Sequence, residues 1–92
     1  MSGHTRLKLR LYVAGTATNS MRAIANAKAI CETHFATRHV LEIVDLLVEP
    51  RRAADDGIIV TPTLLKLLPL PVERVVGNLS DTNKVLLVLV CK

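Results

Sequence analysis

Apolar and polar positions alternate with a period of two near the start of the chain. Leucine or valine occupies every odd position from 7 to 13, and the even positions between them carry Lys8, Arg10 and Tyr12. Such alternation is typical of a strand with one buried face. Because Gly15 interrupts the pattern, we predict a first strand that ends close to Val13.

The period changes to that of a helix over residues 20–36. One helical stripe is apolar and consists of Ile24, Ala27, Cys31 and Phe35. We therefore predict an amphipathic helix with Asn19 or Ser20 as its N-cap. Residues 40–48 form a second β-rich run, so the first half predicts a right-handed βαβ unit with a parallel strand pair.

A short helix over residues 51–56 is predicted next, because Pro50 suits a first turn and Gly57 suits a C-terminal end. Residues 58–68 and 72–76 favour strands, although Pro62, Pro69 and Pro71 lie among them. Proline cannot donate a ladder hydrogen bond, so this stretch suits edge strands and turns better than a central strand.

The last segment is ambiguous. Residues 77–81 have the composition of a turn, and Ser80 is a candidate N-cap for a helix after them. Against a helix, residues 85–90 are all apolar and rich in strand formers. Length and propensity leave helix and strand both open here.

Composition limits the function classes. The 92 residues carry a net charge of +4 and are 50% hydrophobic, which fits one α/β domain over 1–92. Basic residues are scattered among acids, and only Tyr12 and Phe35 are aromatic, which is unlike a nucleic-acid surface. The longest apolar run, residues 85–91, is far shorter than a membrane span. No signal-peptide pattern opens the sequence, so we expect a cytoplasmic protein.

Reactive side chains do not form a known catalytic, cofactor-binding or metal-binding motif. Cys31 and Cys91 lie far apart and outside any Cys-x-x-Cys pair, so Cys31 is expected to be a buried, reduced thiol. The histidines, which are His4, His34 and His39, lack metal-ligand spacing. Asp55 and Asp56 are adjacent and are expected to be solvated acids.

Six short segments carry a family resemblance. They are LYVAG at 11–15, NSMRA at 19–23, IVDL at 43–46, TPTL at 61–64, LPLPV at 68–72 and VGNLS at 76–80. In order and spacing, these segments resemble the landmarks of the KaiB family of circadian-clock proteins. The element order βαβαββα is also that of the thioredoxin-like fold, but the loop after the first strand holds no Cys-x-x-Cys.

The resemblance implies a non-catalytic regulator that needs no cofactor. It also implies that the protein can adopt two folds. In one, often a tetramer, the C-terminal half is rearranged. In the other, a thioredoxin-like monomer docks on the ATPase ring of KaiC and competes with SasA. Pro62, Pro69 and Pro71 belong to the half that rearranges, and Pro62 is expected to be cis in the thioredoxin-like state. The implied partner is thus a KaiC-like ATPase, with a dimer or tetramer as a possible resting form.

Three basic residues are candidates for partner contact. Arg22 is expected in the first turn of its helix, an unfavourable end for a cation. Lys66 lies in the proline-rich region, and Arg74 lies on the next predicted strand.

The chain departs from the usual family pattern at several positions. Glu42, Gly57 and Glu73 stand where clock members usually carry basic residues, which implies altered electrostatic steering and partner choice. Val88 and Val90 replace a Gly and an Asp, which raises the strand propensity of the last segment.

Other functions stay open at this stage. One is a redox-inactive thioredoxin-like adaptor or stress-response protein with a different protein partner. Another is a thiol oxidoreductase that uses Cys31 or Cys91 alone, and a third is a nucleic-acid-binding module.

Overall fold

The computed structural model describes residues 6–90. Seven elements follow one another in the order β-α-β-α-β-β-α, which confirms the predicted order. They are β1 Leu7–Val13, α1 Thr18–His34, β2 His39–Asp45, α2 Pro50–Asp55, β3 Thr63–Leu68, β4 Glu73–Val76 and α3 Thr82–Val90.

The four strands form one sheet in the order β2-β1-β3-β4. The predicted parallel pair is confirmed between β1 and β2, and β3 is antiparallel to both β1 and β4. The preference for edge strands was right for β4 but wrong for β3, which lies inside the sheet. Pro62 directly precedes β3 and Pro69 directly follows it, so neither proline interrupts the hydrogen-bond ladder.

The second strand is shorter than the sequence predicts. It ends at Asp45, and the next residues form a turn. The Asp45 carboxylate accepts hydrogen bonds from the backbone N–H groups of Leu47, at 2.9 Å, and Gly15, at 3.1 Å. These bonds turn the chain away from the sheet and join the two loops that follow β1 and β2.

Helices cover both faces of the sheet. The odd-numbered side chains of β1 are buried beneath α1 and α3, together with Leu64 of β3 and Val75 of β4. On the opposite face, Tyr12 and Leu65 pack with Ala53 of α2. The larger core therefore lies on the α1/α3 face.

The predicted first helix is confirmed, but its N-cap is not. The helix begins at Thr18 after Ala17, and no side chain caps it. Asn19 and Ser20 therefore lie inside the first turn. The Ser20 hydroxyl instead accepts a hydrogen bond from the backbone N–H of Ala14 at 3.0 Å, so it fixes the helix to the end of β1.

The ambiguous last segment forms a helix. The Asp81 carboxylate accepts a hydrogen bond from the backbone N–H of Lys84 at 3.1 Å, so Asp81 rather than the predicted Ser80 caps α3. Val85 and Leu89, four residues apart, are buried against the core. Capping and one buried stripe thus outweigh the strand propensity of residues 85–90.

Candidate partner surface

A cluster of charged side chains lies on the face of the sheet that α2 partly covers. We call it the α2-face cluster, and its members are Arg10, Tyr12, Glu42, Arg52 and Asp56. The Glu42 carboxylate bridges two cations, with Oε1 at 2.8 Å from Arg10 Nε and Oε2 at 2.6 Å from Arg52 Nη2. Arg10 Nη1 also lies 2.8 Å from Asp56 Oδ2.

Strand register explains why these side chains meet. Arg10 lies opposite Glu42 of β2 on one side and opposite Leu65 of β3 on the other. Leu65 in turn lies opposite Arg74 of β4, so a single row of side chains crosses all four strands. Tyr12 follows Arg10 on the same face by one period, and its hydroxyl donates to Asp56 Oδ2 at 2.5 Å.

The cluster shifts the titration of its own members. Hydrogen bonds from Arg10 and Arg52 lower the pKa of Glu42. Burial alone would raise the pKa of Asp56, but the hydrogen bonds from Tyr12 and Arg10 outweigh it and lower that pKa. Burial and the hydrogen bond to Asp56 raise the pKa of Tyr12 to about 12. The two carboxylates therefore stay ionised at neutral pH while the Tyr12 hydroxyl stays protonated, and the cluster ties α2 to the sheet.

The expectation that Asp55 and Asp56 are both solvated was wrong for Asp56. Asp55 is exposed, but Asp56 is half-buried and paired with Arg10. The sequence reasoning missed the whole cluster because its contacts depend on strand register and on the position of α2. The available signal was the placement of Arg10 and Tyr12 on the polar stripe of β1.

The three predicted contact residues do not lie together. Arg22 is exposed on α1, but in the second turn rather than the first, because the helix begins at Thr18. Arg74 is exposed on the α2 face, where its guanidinium donates to the backbone carbonyls of Gly57 and Asp56 at 3.2 and 3.3 Å. Lys66, in contrast, is only 1% exposed, so its side chain is not accessible to a partner in this conformation.

The three prolines border β3. Pro62 is buried directly before the strand, and Pro69 and Pro71 occupy the turn that leads to β4. All three follow cis peptide bonds, which confirms the expectation for Pro62. The carbonyl of Pro62 accepts a hydrogen bond from the backbone N–H of Gly77 at 2.9 Å, which connects the loops at the ends of β3 and β4.

Two loops expose large apolar side chains. Leu47 and Val48 follow β2, and Ile59 and Val60 precede β3; Ile59 is 92% exposed. A Cβ on Gly15 would lie 3.1 Å from Leu47 Cδ1, so the Leu47 loop closely approaches the loop after β1. Where exposed apolar side chains form one contiguous patch, they mark a protein-binding surface. Both segments are predicted as strand from their composition, so the sequence does not reveal this exposure.

The described residues offer little for catalysis. Cys31 is buried, as expected, and burial raises the pKa of its thiol to about 11. The thiol is thus protonated at neutral pH and inaccessible, which is the opposite of a reactive cysteine. Cys91 and His4 lie outside the described residues. Across residues 6–90 no three histidine, cysteine or acidic side chains come together as metal ligands, and no helix there is long and apolar enough to span a membrane.

Known proteins match nearly the whole chain. The family model for the KaiB domain matches residues 10–91. The circadian clock protein KaiB3 of a Synechocystis strain is 46% identical over 82 residues, which cover 89% of this chain and 80% of that protein.

Two solved structures share the fold. The N-terminal domain of SasA from Synechococcus elongatus superposes with a TM-score of 0.78 and 25% identity, covering all of this chain and 90% of that one. The germline-specific thioredoxin Deadhead of Drosophila superposes with a TM-score of 0.72 and 13% identity, covering 88% of this chain and 75% of that one. The thioredoxin-like fold predicted from the sequence is therefore confirmed.

Proposed function

Because this chain belongs to the KaiB family, we propose that it is a non-catalytic clock regulator that binds a KaiC-like ATPase and changes fold to do so. The proposed site of action is the cytoplasm, and the proposed resting form is a dimer or tetramer. Its effect would come from occupying the ATPase, not from chemistry of its own.

The observation that carries the proposal is a thioredoxin-like fold without thioredoxin chemistry. The loop before α1, residues 14–17, reads Ala-Gly-Thr-Ala and holds no cysteine. A dithiol at this position would be activated by the helix N-terminus, but none is present. Cys31 lies buried on the core side of α1, so the lone-thiol alternative has no support from that residue.

The proposed contact surface combines charge with exposed apolar side chains. Arg22 and Arg74 are exposed, and Ile59 lies in a loop that follows α2. Apolar contacts supply most of the affinity of protein interfaces, whereas peripheral charges steer association and select partners. Lys66 is buried here, so its proposed contact with the partner requires that β3 rearrange.

The proposed change of fold concerns the half of the chain that contains Pro62, Pro69 and Pro71. Two features support it: α3 forms from a segment rich in strand formers, and Pro62 and Pro69 lie at the ends of β3 rather than within it. Two folds need to differ by only a few kcal/mol for a partner to select one of them.

The test is complex formation with a KaiC-type ATPase. The chain is incubated with the ATPase for one day in ATP and in ADP, and the mixtures are separated by size-exclusion chromatography. We expect a complex that the N-terminal domain of SasA displaces by competition. Absence of a complex in both nucleotides would refute this partner and would favour an adaptor with another partner.

Variants locate the contact surface within that assay. Arg22→Ala and Arg74→Ala are expected to weaken binding, since each removes an exposed cation. Arg38→Ala is the matched control, because Arg38 is also exposed but lies between α1 and β2, outside the proposed surface. An equal loss in all three variants would indicate dependence on net charge alone and would contradict the assigned residues.

A further inference from the structure

The loop between β4 and α3 has an unusual backbone. Leu79 adopts a left-handed conformation with φ +64°, which residues other than glycine rarely adopt. Its side chain is only 4% exposed and belongs to the core on the α1/α3 face. The loop therefore keeps a costly backbone conformation because other contacts hold it.

Polar contacts to α1 supply part of that restraint. The Asn26 side-chain amide donates to the backbone carbonyl of Asn78 at 2.8 Å, across 52 residues of sequence. The Asn78 side chain lies 3.4 Å from Asn19 Oδ1 and accepts a hydrogen bond from the backbone N–H of Ser80 at 3.0 Å. Asn19 and Asn26 are seven residues apart, so they lie on one stripe of α1, two turns from each other.

Part of α3 packs on the core and part does not. Val85 and Leu89 are buried and Leu86 and Val88 are partly buried against the core, while Leu87 and Val90 are more than half exposed. Beneath the two buried residues lies a narrow apolar gap, too small for water, which Cys31 also lines.

We propose that Asn26 clamps α3 through the carbonyl oxygen of Asn78, and that breaking this hydrogen bond releases residues 77–90 and uncovers Cys31. The inference rests on the proposed function, because a change of fold in the C-terminal half requires this segment to leave the core. The proposal makes the hydrogen bond from Asn26 to the carbonyl of Asn78 the contact that must break before residues 77–90 can leave the core.

The geometry makes Cys31 a built-in reporter of release. The thiol is 1% exposed and shares the apolar gap with the two buried side chains of α3. When α3 leaves, the thiol becomes accessible to a small reagent. In the closed form a thiol with a pKa of about 11 reacts slowly even with reagent that reaches it.

The experiment measures the rate at which a maleimide labels Cys31 in the full-length chain, without any ATPase. All variants carry Cys91→Ser so that only one thiol reports. Asn26→Asp keeps the side-chain shape but removes the amide donor, and labelling is expected to become about tenfold faster, as the loss of one hydrogen bond implies. Asn26→Ala is expected to do the same, although alanine favours the helix itself.

Asn83→Ala is the matched control, because Asn83 is exposed on α3 and the same substitution is made there. Its labelling rate is expected to equal or fall below that of the parent. Denaturant dependence separates local release from global unfolding: labelling through release changes little with dilute urea, whereas labelling through unfolding rises steeply.

Two results would overturn the clamp. One is an unchanged labelling rate in Asn26→Asp, and the other is faster labelling with the steep urea dependence of global unfolding. Neither depends on a partner, so a chain that binds no ATPase can still support the clamp, and a chain without the clamp can still bind the ATPase.

Discussion

The helices α1 and α3 cover the same face of the sheet but are held there differently. Five residues of α1 are buried, and Ser20 also bonds to the end of β1. Two of the nine residues of α3 are buried, Leu86 and Val88 are partly buried against the core, and Leu87 and Val90 are exposed. Both helices pack on the core, but α1 connects the paired strands β1 and β2 whereas α3 follows the edge strand β4.

The proposed change of fold would affect these two parts of the chain differently. The parallel pair β1 and β2 and the helix between them form one continuous unit, with Leu9 and Leu11 buried at its centre. The α2-face cluster ties α2 to the same strands through Arg10. A rearrangement of residues 77–90 would remove Leu79, Val85 and Leu89 from the core on the α1/α3 face, whereas the pairing of β1 with β2 does not involve those residues.

The largest expected effect lies in the stable unit. Leu11→Ala removes a fully buried side chain from the central strand β1 and is expected to lower the free energy of unfolding by about 3 kcal/mol, from lost burial and the cavity left behind. Urea unfolding followed by circular dichroism measures it. Leu87→Ala, at an exposed leucine of α3, should change that free energy by less than about 0.5 kcal/mol. Equal losses would contradict the exposed position of Leu87 on α3.

The next effect lies beneath α3. Leu89→Ala is expected to destabilise the docked helix by about 2 kcal/mol, since it enlarges the apolar gap that already lies there. Hydrogen exchange followed by NMR is the measurement, because it resolves each amide. The amides of α3 should exchange faster, while those of Leu7–Val13 should change little. A uniform increase across both elements would show that α3 and β1 unfold as one cooperative unit.

The sequence predicts most of this comparison, but not all of it. The period-two pattern before Gly15 and the apolar stripe through Cys31 define β1 and α1, since each buries a single face. Residues 85–90 could not be assigned to helix or strand, because an all-apolar segment has no polar face to reveal its period. In the structure the Asp81 cap and the packing of this segment beside Cys31 favour the helix. The central position of β3 was also missed, because the prolines that border it resemble strand interruptions.

Most of the pairwise contacts in the α2-face cluster could not be predicted from the sequence. Arg10 and Glu42 are 32 residues apart, and only the parallel register makes them neighbours. The accessibility of Lys66 likewise depends on whether β3 lies at an edge of the sheet or inside it. Residue type alone suggested a contact cation at Lys66, but its position in β3 buries it.

A smaller effect on the free energy of unfolding is expected from the α2-face cluster, and it should appear only at acidic pH. Glu42 and Asp56 have pKa values lowered from 4.5 and 3.8 in the folded chain. Such carboxylates add stability that is complete above the unfolded pKa and is lost as the pH falls through the folded pKa. Unfolding free energy should therefore decline as the pH falls below about 4.5.

The matching variant is Asp56→Asn, which keeps the shape of the side chain but removes its charge. At pH 7 it is expected to cost about 1–2 kcal/mol, because Arg10 and the Tyr12 hydroxyl lose a charged partner. Its unfolding free energy should also depend less on acid than that of the parent. Asp55→Asn, at the exposed neighbour, is the control. If the unfolding free energies of Asp56→Asn and the parent depend on pH in the same way, then Asp56 is not one of the stabilising carboxylates.

The smallest effect separates contact with a partner from contact within the fold. Arg22 is exposed on α1, so Arg22→Ala should change the unfolding free energy by less than about 0.5 kcal/mol. Arg74 donates to the carbonyls of Asp56 and Gly57, so Arg74→Ala should cost slightly more, about 0.5–1 kcal/mol. Thermal unfolding of both variants and the parent in the same buffer measures the two changes in stability. If Arg22→Ala proves the more destabilising, then Arg22 makes a contact within the fold, and its loss could no longer be interpreted as the loss of a partner contact.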